Sequence, residues 1–407
     1  MRKRTVLSLE QALSLSYGTL RFVHAGWRVI RLEATPTPGS RTPGDPNRYV
    51  GKLLAESDRR SYFVAPNVGK ESIALNLKTE EGQRLLRRIV SELPVDVFCC
   101  NTLPRRYEGL GIDFETLRRC NPSIVWAGLS AFGPECPDRP GYDPALQAEL
   151  GYMTLTGDPA GPPTLCGVPV IDLKAGDELY AQVVSALLEQ AETDGGAKRI
   201  DVSMARAAVS WLQTTLPLLD MGAMPNEVQR SGNKHREFVP ADVYNASDGY
   251  VYIAIGSDRQ WQYLTSIDAF AALRRKKWVT NEGRCKSRAE IHALMGKTVS
   301  ELGVSEVVSS LTQVGVVVSE VNDVPGVRNL PSIAPELGRV SFPEGRDVYL
   351  PPSAIAGDAV PKTFAPPPRY GEHTRAVLAE LGIADKDVDD MAKSGTVAEP
   401  SPPASRS

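Results

Sequence analysis

What the chain lacks narrows it first. Its 407 residues include six cysteines and four histidines. The cysteines, at 99, 100, 120, 136, 166 and 285, form no C-x-x-C pair, and the histidines, at 24, 235, 292 and 373, are far apart. That spacing argues against a disulfide framework and against a metal site, and the cysteines are expected as reduced thiols. Positive charge is not in excess. Lysine and arginine number 46 against 49 acids, a net charge of −3, so nothing points to nucleic acid, although a local basic groove for a phosphorylated ligand stays open. Long apolar runs are missing too: the best uncharged stretch, 207–219, is too short to cross a membrane and contains Pro217. The start imitates a signal peptide, with Arg2-Lys3-Arg4 ahead of an apolar segment, but Glu10 and Gln11 interrupt it. Catalytic signatures are equally scarce. There is no G-x-x-x-x-G-K-[ST], no G-x-G-x-x-G after a strand and no H-E-x-x-H, and Gly128-Leu129-Ser130-Ala131-Phe132 misses the nucleophile-elbow pattern at its last glycine. Nucleotide hydrolysis, simple hydride transfer and Ser-His hydrolysis lose ground accordingly. What remains is a chain of ordinary globular composition, 42% hydrophobic and 23% charged, long enough for two domains. A cytoplasmic, metal-free enzyme is the expectation.

The pattern along the chain is strand, helix, strand. Val6-Leu7-Ser8-Leu9 is short and apolar, 12–24 carries apolar residues at helical spacing, and Val29-Ile30-Arg31-Leu32-Glu33 follows a glycine stop. The unit recurs. Ser72-Ile73-Ala74-Leu75-Asn76-Leu77 alternates at the strand period, and 80–90 is a helix with Glu80 and Glu81 in its first turn and Arg87 and Arg88 late. Val95-Asp96-Val97-Phe98-Cys99 and Ile124-Val125-Trp126-Ala127 are further strands. Alternation of this kind predicts an α/β fold with an open, doubly wound parallel sheet. From about 225 the texture changes: a hairpin with an Asp248-Gly249 turn, then helical patterns between 261 and 311, predict a smaller α+β domain. The expected divisions are 1–224 for the first part of the large domain, 225–330 for the small one, 331–392 for a return to the large domain with one helix over 371–392, and 393–407 for a loose tail.

One segment carries the chemistry: Cys166-Gly167-Val168-Pro169-Val170-Ile171-Asp172-Leu173-Lys174-Ala175-Gly176. An apolar run meets a single aspartate, and a long helical pattern follows, so Asp172 is expected at a strand-to-helix junction. An aspartate there is ordinarily a helix N-cap; the sharper reading is a nucleophile whose anion the positive end of the helix favours. The segment resembles the catalytic motif of the family III CoA-transferases. Other stretches resemble the same family in the same order: Gly26-Trp27-Arg28-Val29-Ile30-Arg31-Leu32-Glu33, Asn67-Val68-Gly69-Lys70-Glu71-Ser72, Leu75-Asn76-Leu77-Lys78, Leu110-Gly111-Ile112-Asp113, Asn121-Pro122-Ser123-Ile124-Val125, Gly141-Tyr142-Asp143, Arg199-Ile200-Asp201-Val202-Ser203, Gly256-Ser257-Asp258-Arg259-Gln260-Trp261 and Gly371-Glu372-His373-Thr374.

The resemblance implies a Rossmann-like large domain, a smaller middle domain and an interlocked dimer. It implies an enzyme that moves CoA from an acyl-CoA to a small carboxylic acid through an aspartyl-CoA thioester, with no cofactor beyond the CoA of the substrate. It assigns the nucleophile to Asp172 and places Asp143 near it, where an Asx-turn ahead of Pro144 is the alternative role. It assigns CoA contacts to Lys78 and Asn101. The family arginine just before the Leu110-Gly111 pair is Gly109 here, with Arg105 and Arg106 one helical turn away as substitutes. Ala34 replaces a basic residue, and Leu13, Leu15 and Ser16 replace a glutamine and a Gly-Pro pair. These departures put a homodimer in doubt and suggest a heteromer with a paralogous subunit. Succinyl-CoA as donor and benzylsuccinate as acceptor, a reaction of anaerobic toluene degradation, are the substrates this pattern suggests. Two alternatives stand: a non-catalytic partner subunit, and an acyl-CoA racemase of the same fold. The racemase needs a histidine where Tyr142 stands, and a phenol, with an ordinary pKa of ~10, is a weak base at neutral pH.

Overall fold

The computed structural model describes residues 3–37, 42–193, 195–342, 345–355 and 360–400. The first elements form where local pattern puts them. β1 (Thr5–Leu9) is almost wholly buried, and α1 (Ser14–His24) turns Leu15, Phe22 and Val23 inward. Gly26, at φ 76°, reverses the chain into β2 (Arg28–Ala34). After β3 (Glu71–Leu75) comes α2 (Glu80–Glu92), whose Thr79 side chain accepts the Gly82 N–H as an N-cap while Glu80 and Glu81 face the helix dipole. β4 (Val95–Cys100) and β5 (Val125–Ser130) continue the sheet. The short α3 (Asp143–Glu149) and the 24-residue α4 (Val170–Thr193) precede β6 (Lys198–Ser203). Ile30, Leu86, Ile89, Phe98 and Trp126 are wholly buried in the core beneath these elements. Burial of each such side chain is worth roughly 1.5–3 kcal/mol.

α1 and α4 cross at paired glycines. A Cβ on Gly18 would sit 2.9 Å from the Gly176 carbonyl oxygen, and one on Gly176 would sit 2.6 Å from the Ser14 carbonyl oxygen. Both distances are shorter than atoms tolerate, so the crossing requires glycine. The close approach lets the Ser14 hydroxyl donate to the Asp172 carbonyl at 3.1 Å, which ties the start of α4 to the start of α1.

The chain divides into two compact units. One comprises Met1–Leu150, Gly167–Thr214 and Pro335–Ser407; the other comprises Gly151–Cys166 and Thr215–Ala334. The small unit thus begins at 215 rather than 225 and runs to 334, and it also takes in 151–166, which the sequence pattern leaves in the large domain. Within it, β7 (Ala241–Asn245) and β8 (Tyr250–Ala254) form the expected hairpin. α5 (Asp258–Ser266), α6 (Arg288–Ser300) and α7 (Val304–Gln313) surround them, and β9 (Val317–Glu320) completes a three-stranded sheet. Asp248, read as a turn residue, also accepts the Val304 N–H at 2.7 Å at the start of α7. Arg284 is buried and donates to the Val239 and Trp278 carbonyls and to Asp258, which explains the aspartate of the Gly256-Ser257-Asp258 stretch.

The return to the large unit departs from expectation in two places. β10 (Gly338–Ser341), β11 (Asp347–Leu350) and β12 (Thr363–Phe364) form a separate small sheet in a segment for which the sequence pattern predicts no strands. The single helix expected over 371–392 is two, α8 (Thr374–Glu380) and α9 (Asp385–Lys393), broken at Gly382, where φ is 71°. The loose tail is corrected as well. β13 (Val397–Ala398) pairs antiparallel with β3, and Arg375 grips Glu399 with two hydrogen bonds; residues 401–407 of that tail lie outside the described residues. The large sheet then runs β13-β3-β2-β1-β4-β5-β6, parallel except for β13. Order reverses between β1 and β4, and the crevice at the carboxyl ends of those two strands is where such sheets bind ligands.

Candidate active site

The crevice is built by Gln11 and Asn101, which follow β1 and β4. The Asn101 amide donates to the Gln11 carbonyl at 2.7 Å and accepts the Gln11 N–H at 3.0 Å. Asn101 therefore clasps the two strand ends together, and its amide is spent on backbone. On one side of the clasp a pocket is lined by Ala34, Thr35, Leu75, Lys78 and Arg106. On the other a broader cleft is lined by Asn47, Ser130, Arg139, Tyr142 and Asp172. Gln11, Asn101, Thr102 and Arg106 line both, so the two adjoin along a shared wall. Among the described residues, neither the Lys78 ammonium nor the Arg106 guanidinium pairs with a carboxylate. Arg105 is different. It faces Asp138 at 3.4 Å and lines a separate depression with Glu108 and Asp113, so the structure does not bring it to the groove.

Asp172 enters from irregular chain, not from a strand: the segment ahead of α4 has no regular structure. It is the third residue of α4, and among the described residues its carboxylate accepts no hydrogen bond. The front amides of the helix serve Asp143 instead. The buried Asp143 carboxylate accepts the Ile171 N–H at 2.7 Å and the Asp172 N–H at 3.1 Å through one oxygen, and its other oxygen accepts the Gln147 side-chain amide at 2.6 Å. The expected stabilisation of the Asp172 anion is reversed as a result. Burial, and then the charge of Asp143, push the Asp172 carboxyl up to about 7. A carboxylate freed of donors is a better nucleophile than one that is solvated or bonded.

Sequence reasoning missed what holds the near wall. Arg31 is fully buried and pairs with Glu10 and, at 2.9 Å, with Asp45. The Lys70 ammonium, also buried, donates to Glu10, to the Ser16 carbonyl and to Thr19 at 2.7–2.8 Å. Arg48 closes on Glu33. Burial drags the Lys70 ammonium down to about 8 against the pull of Glu10, while Arg48 and Arg31 overcome burial to hold Glu33 at about 2. Asp45 is the link to the groove. Its second oxygen accepts the Ala12 N–H at 3.3 Å, and Ala12, at φ 57°, is held in a left-handed conformation that alanine rarely adopts. Arg31, Glu33, Asn67 and Lys70, all within the family-like stretches, thus belong to scaffolding behind the groove. The loop bearing Asp45 gave no sequence signal beyond its proline and glycine content.

A family model described as CoA-transferase family III matches residues 1–374. The chain belongs to that family. It is 31% identical over 386 residues to the acetyl-CoA:oxalate CoA-transferase of Acetobacter aceti, covering 93% of this chain and 95% of that one. It is 28% identical over 389 residues to the succinate–glutarate CoA-transferase of Agrobacterium fabrum, covering 94% and 95%. Among solved structures, a CAIB/BAIF family protein from Brucella suis superposes with a TM-score of 0.80 at 29% identity, covering 93% of this chain and 98% of that one. This family III CoA-transferase is an enzyme, and acyl-CoA and carboxylic acid substrates fit its membership. Lys78 and Arg106 line one pocket and the Asp172 carboxylate lines the cleft beside it. Among the described residues, no helix is long and apolar enough to cross a membrane.

Proposed function

We propose that this CoA-transferase works by covalent catalysis at Asp172. The observation that carries the reading is the unbonded Asp172 carboxylate in a cleft that shares Arg106 and Asn101 with the pocket of Lys78. An Asp172 oxygen attacks the thioester carbonyl of the donor, the C–S bond breaks, and CoA leaves as thiolate with the electron pair. The thiolate then attacks the Asp172 carbonyl of the mixed anhydride and releases the donor acid as carboxylate. An aspartyl-CoA thioester remains, and the acceptor carboxylate reverses both steps. Lys78 and Arg106 hold the CoA phosphates, and Asn101 shapes the groove between them and Asp172. Arg105 has no part in this reading.

The substrates we propose are succinyl-CoA as donor and a short dicarboxylic acid as acceptor, the class to which oxalate and glutarate of the named relatives belong. Benzylsuccinate, a substituted succinate, falls in the same class. We also read the chain as one half of an interlocked dimer, with a second copy or a paralogue. Supporting this, the segment 209–224 exposes Trp211, Leu216, Leu219, Met221 and Met224, more apolar surface than one short stretch ordinarily leaves in water.

The test is intact-mass spectrometry after addition of succinyl-CoA. The native chain is expected to gain the mass of CoA less water, to lose it to hydroxylamine, and to transfer CoA to oxalate, glutarate or benzylsuccinate. Asp172→Asn should do none of these, because an amide forms no anhydride. Normal transfer by that variant, with deamidation excluded, refutes the mechanism. Solvent deuterium entering the alpha carbon without transfer would identify a racemase instead, and native mass spectrometry of the active enzyme reports whether a second kind of chain is present.

A further inference from the structure

We propose that Asp143 is a positioning residue that reserves the helix-end amides for itself, so that Asp172 stays free of donors and its covalent adducts are favoured over its free carboxylate. This rests on Asp172 being the nucleophile. The geometry is specific. A helix start offers unpaired N–H groups and a positive dipole end, and both favour an anion there. Here the anion that collects them is on α3: one Asp143 oxygen takes both the Ile171 and Asp172 amides, and Gln147 fastens the other oxygen. Asp143 is 3% exposed, so water does not compete for its oxygens. Asp172, in the first turn of the same helix, is left beside a fixed like charge.

Charge then decides which states of the site are stable. With Asp172 ionised, two negative charges act on each other at the start of α4. In the anhydride and in the aspartyl thioester, Asp172 is neutral, and the negative charge has left with the thiolate or with the released acid. Acylation therefore relieves the repulsion, and hydrolysis or reversal restores it. The other charged groups around Asp172 do not cancel it. Arg139, across the cleft, is engaged by Glu149 at 2.7 Å, Lys174 on the same helix by Glu178 at 2.7 Å, and Asp45 by Arg31. Arg106 shares the groove, yet only burial and Asp143 act appreciably on the Asp172 carboxyl.

Asp143→Asn tests this, because an asparagine oxygen still accepts the two amides while the charge is gone. The first readout is the titration of Asp172 in the substrate-free protein, followed by carboxyl carbon NMR and assigned by the signal missing in Asp172→Asn. The midpoint is expected to fall by about one pH unit in Asp143→Asn, the scale of one like charge nearby. The second readout is the ratio of CoA-bearing to free protein at equilibrium with succinyl-CoA and succinate, expected to drop about tenfold, the same change expressed as an equilibrium constant. If Asp143→Asn does not fold, Asp143→Ser removes the charge, keeps a short acceptor, and should move both readouts the same way. An unmoved midpoint, with activity reduced equally at every pH, overturns the proposal and leaves Asp143 a simple cap. Absence of any adduct in the native enzyme would instead refute Asp172 as the nucleophile, while the titration result would stand on its own.

Discussion

Asp172→Asn should make the folded protein more stable at pH 8 and leave it nearly unchanged at pH 4. The carboxyl is raised from an ordinary 3.8 to about 7 in the folded chain, by burial first and by Asp143 second. A raised carboxyl binds its proton more tightly folded than unfolded, so between about pH 4 and pH 7 the folded state holds more protons and stability falls as pH rises. Above 7 the cost is complete. A tenfold difference in proton affinity between the two states is worth about 1.36 kcal/mol, so the whole displacement corresponds to about 4 kcal/mol. The carboxylate lines an open cleft, and solvent screening there brings the expected difference nearer to about 2 kcal/mol. Asparagine has nearly the same shape and does not titrate, so the gap between variant and native protein isolates this one group. Differential scanning calorimetry and urea unfolding at half-unit steps from pH 4 to 8 would measure it, following the transition of the large unit. The gap should open between pH 4 and 7 and then level off. A gap that is constant across that range, or a native protein that is the more stable one at pH 8, refutes the assignment of a desolvated, donor-free carboxylate. The cost is the kind an active site retains because the same desolvation that destabilises the fold activates the nucleophile.

Two further outcomes are expected. Lys78→Ala should weaken CoA binding by about 1–3 kcal/mol, less for dephospho-CoA if Lys78 meets the ribose phosphate, whereas Arg105→Ala, whose guanidinium faces Asp138, should leave it within about twofold; calorimetric titration of both variants checks the pair. Gly176→Ala drives a methyl to 2.6 Å from the Ser14 carbonyl, so it should cost about 1–3 kcal/mol of stability and lower kcat more than it raises KM by shifting the start of α4; unchanged Tm and kcat would show that the helix crossing can relax.

Much of the architecture was legible because it is written in neighbours along the chain. The apolar runs of β1 and β4, the helix that opens with Glu80 and Glu81, and the long helical pattern after Asp172 each depend on residues within a few positions. What failed to show depended on partners far away. β13 is two residues long and exists because β3 offers an open edge more than 300 positions earlier. The single helix expected near the C-terminus is broken because Gly382 turns left-handed there, a choice composition alone does not dictate.

The site divides the same way. Asp172, Lys78 and Arg106 are candidates already in the sequence, through the family resemblance, and the structure sets Lys78 and Arg106 in one pocket and Arg106 and Asp172 in the adjoining cleft. Arg105 and Arg106 are adjacent and chemically identical, and only the packing of the loop after β4 sends one to Asp138 and the other into the groove. Glu10, Arg31 and Lys70 are ordinary charged residues in the sequence; the fold buries them together, and once buried each survives as an ion only because the others are there. By itself, the sequence determined most strands of the large sheet, the family and the candidate nucleophile, because local periodicity and motif order need no knowledge of distance. Tertiary structure alone decided that Asp143, 28 positions ahead of Ile171, takes the amides of α4, and so whether Asp172 is a quiet cap or a donor-free, proton-hungry carboxylate: a hydrogen bond and a like-charge repulsion depend on separations in space that no spacing along the chain specifies.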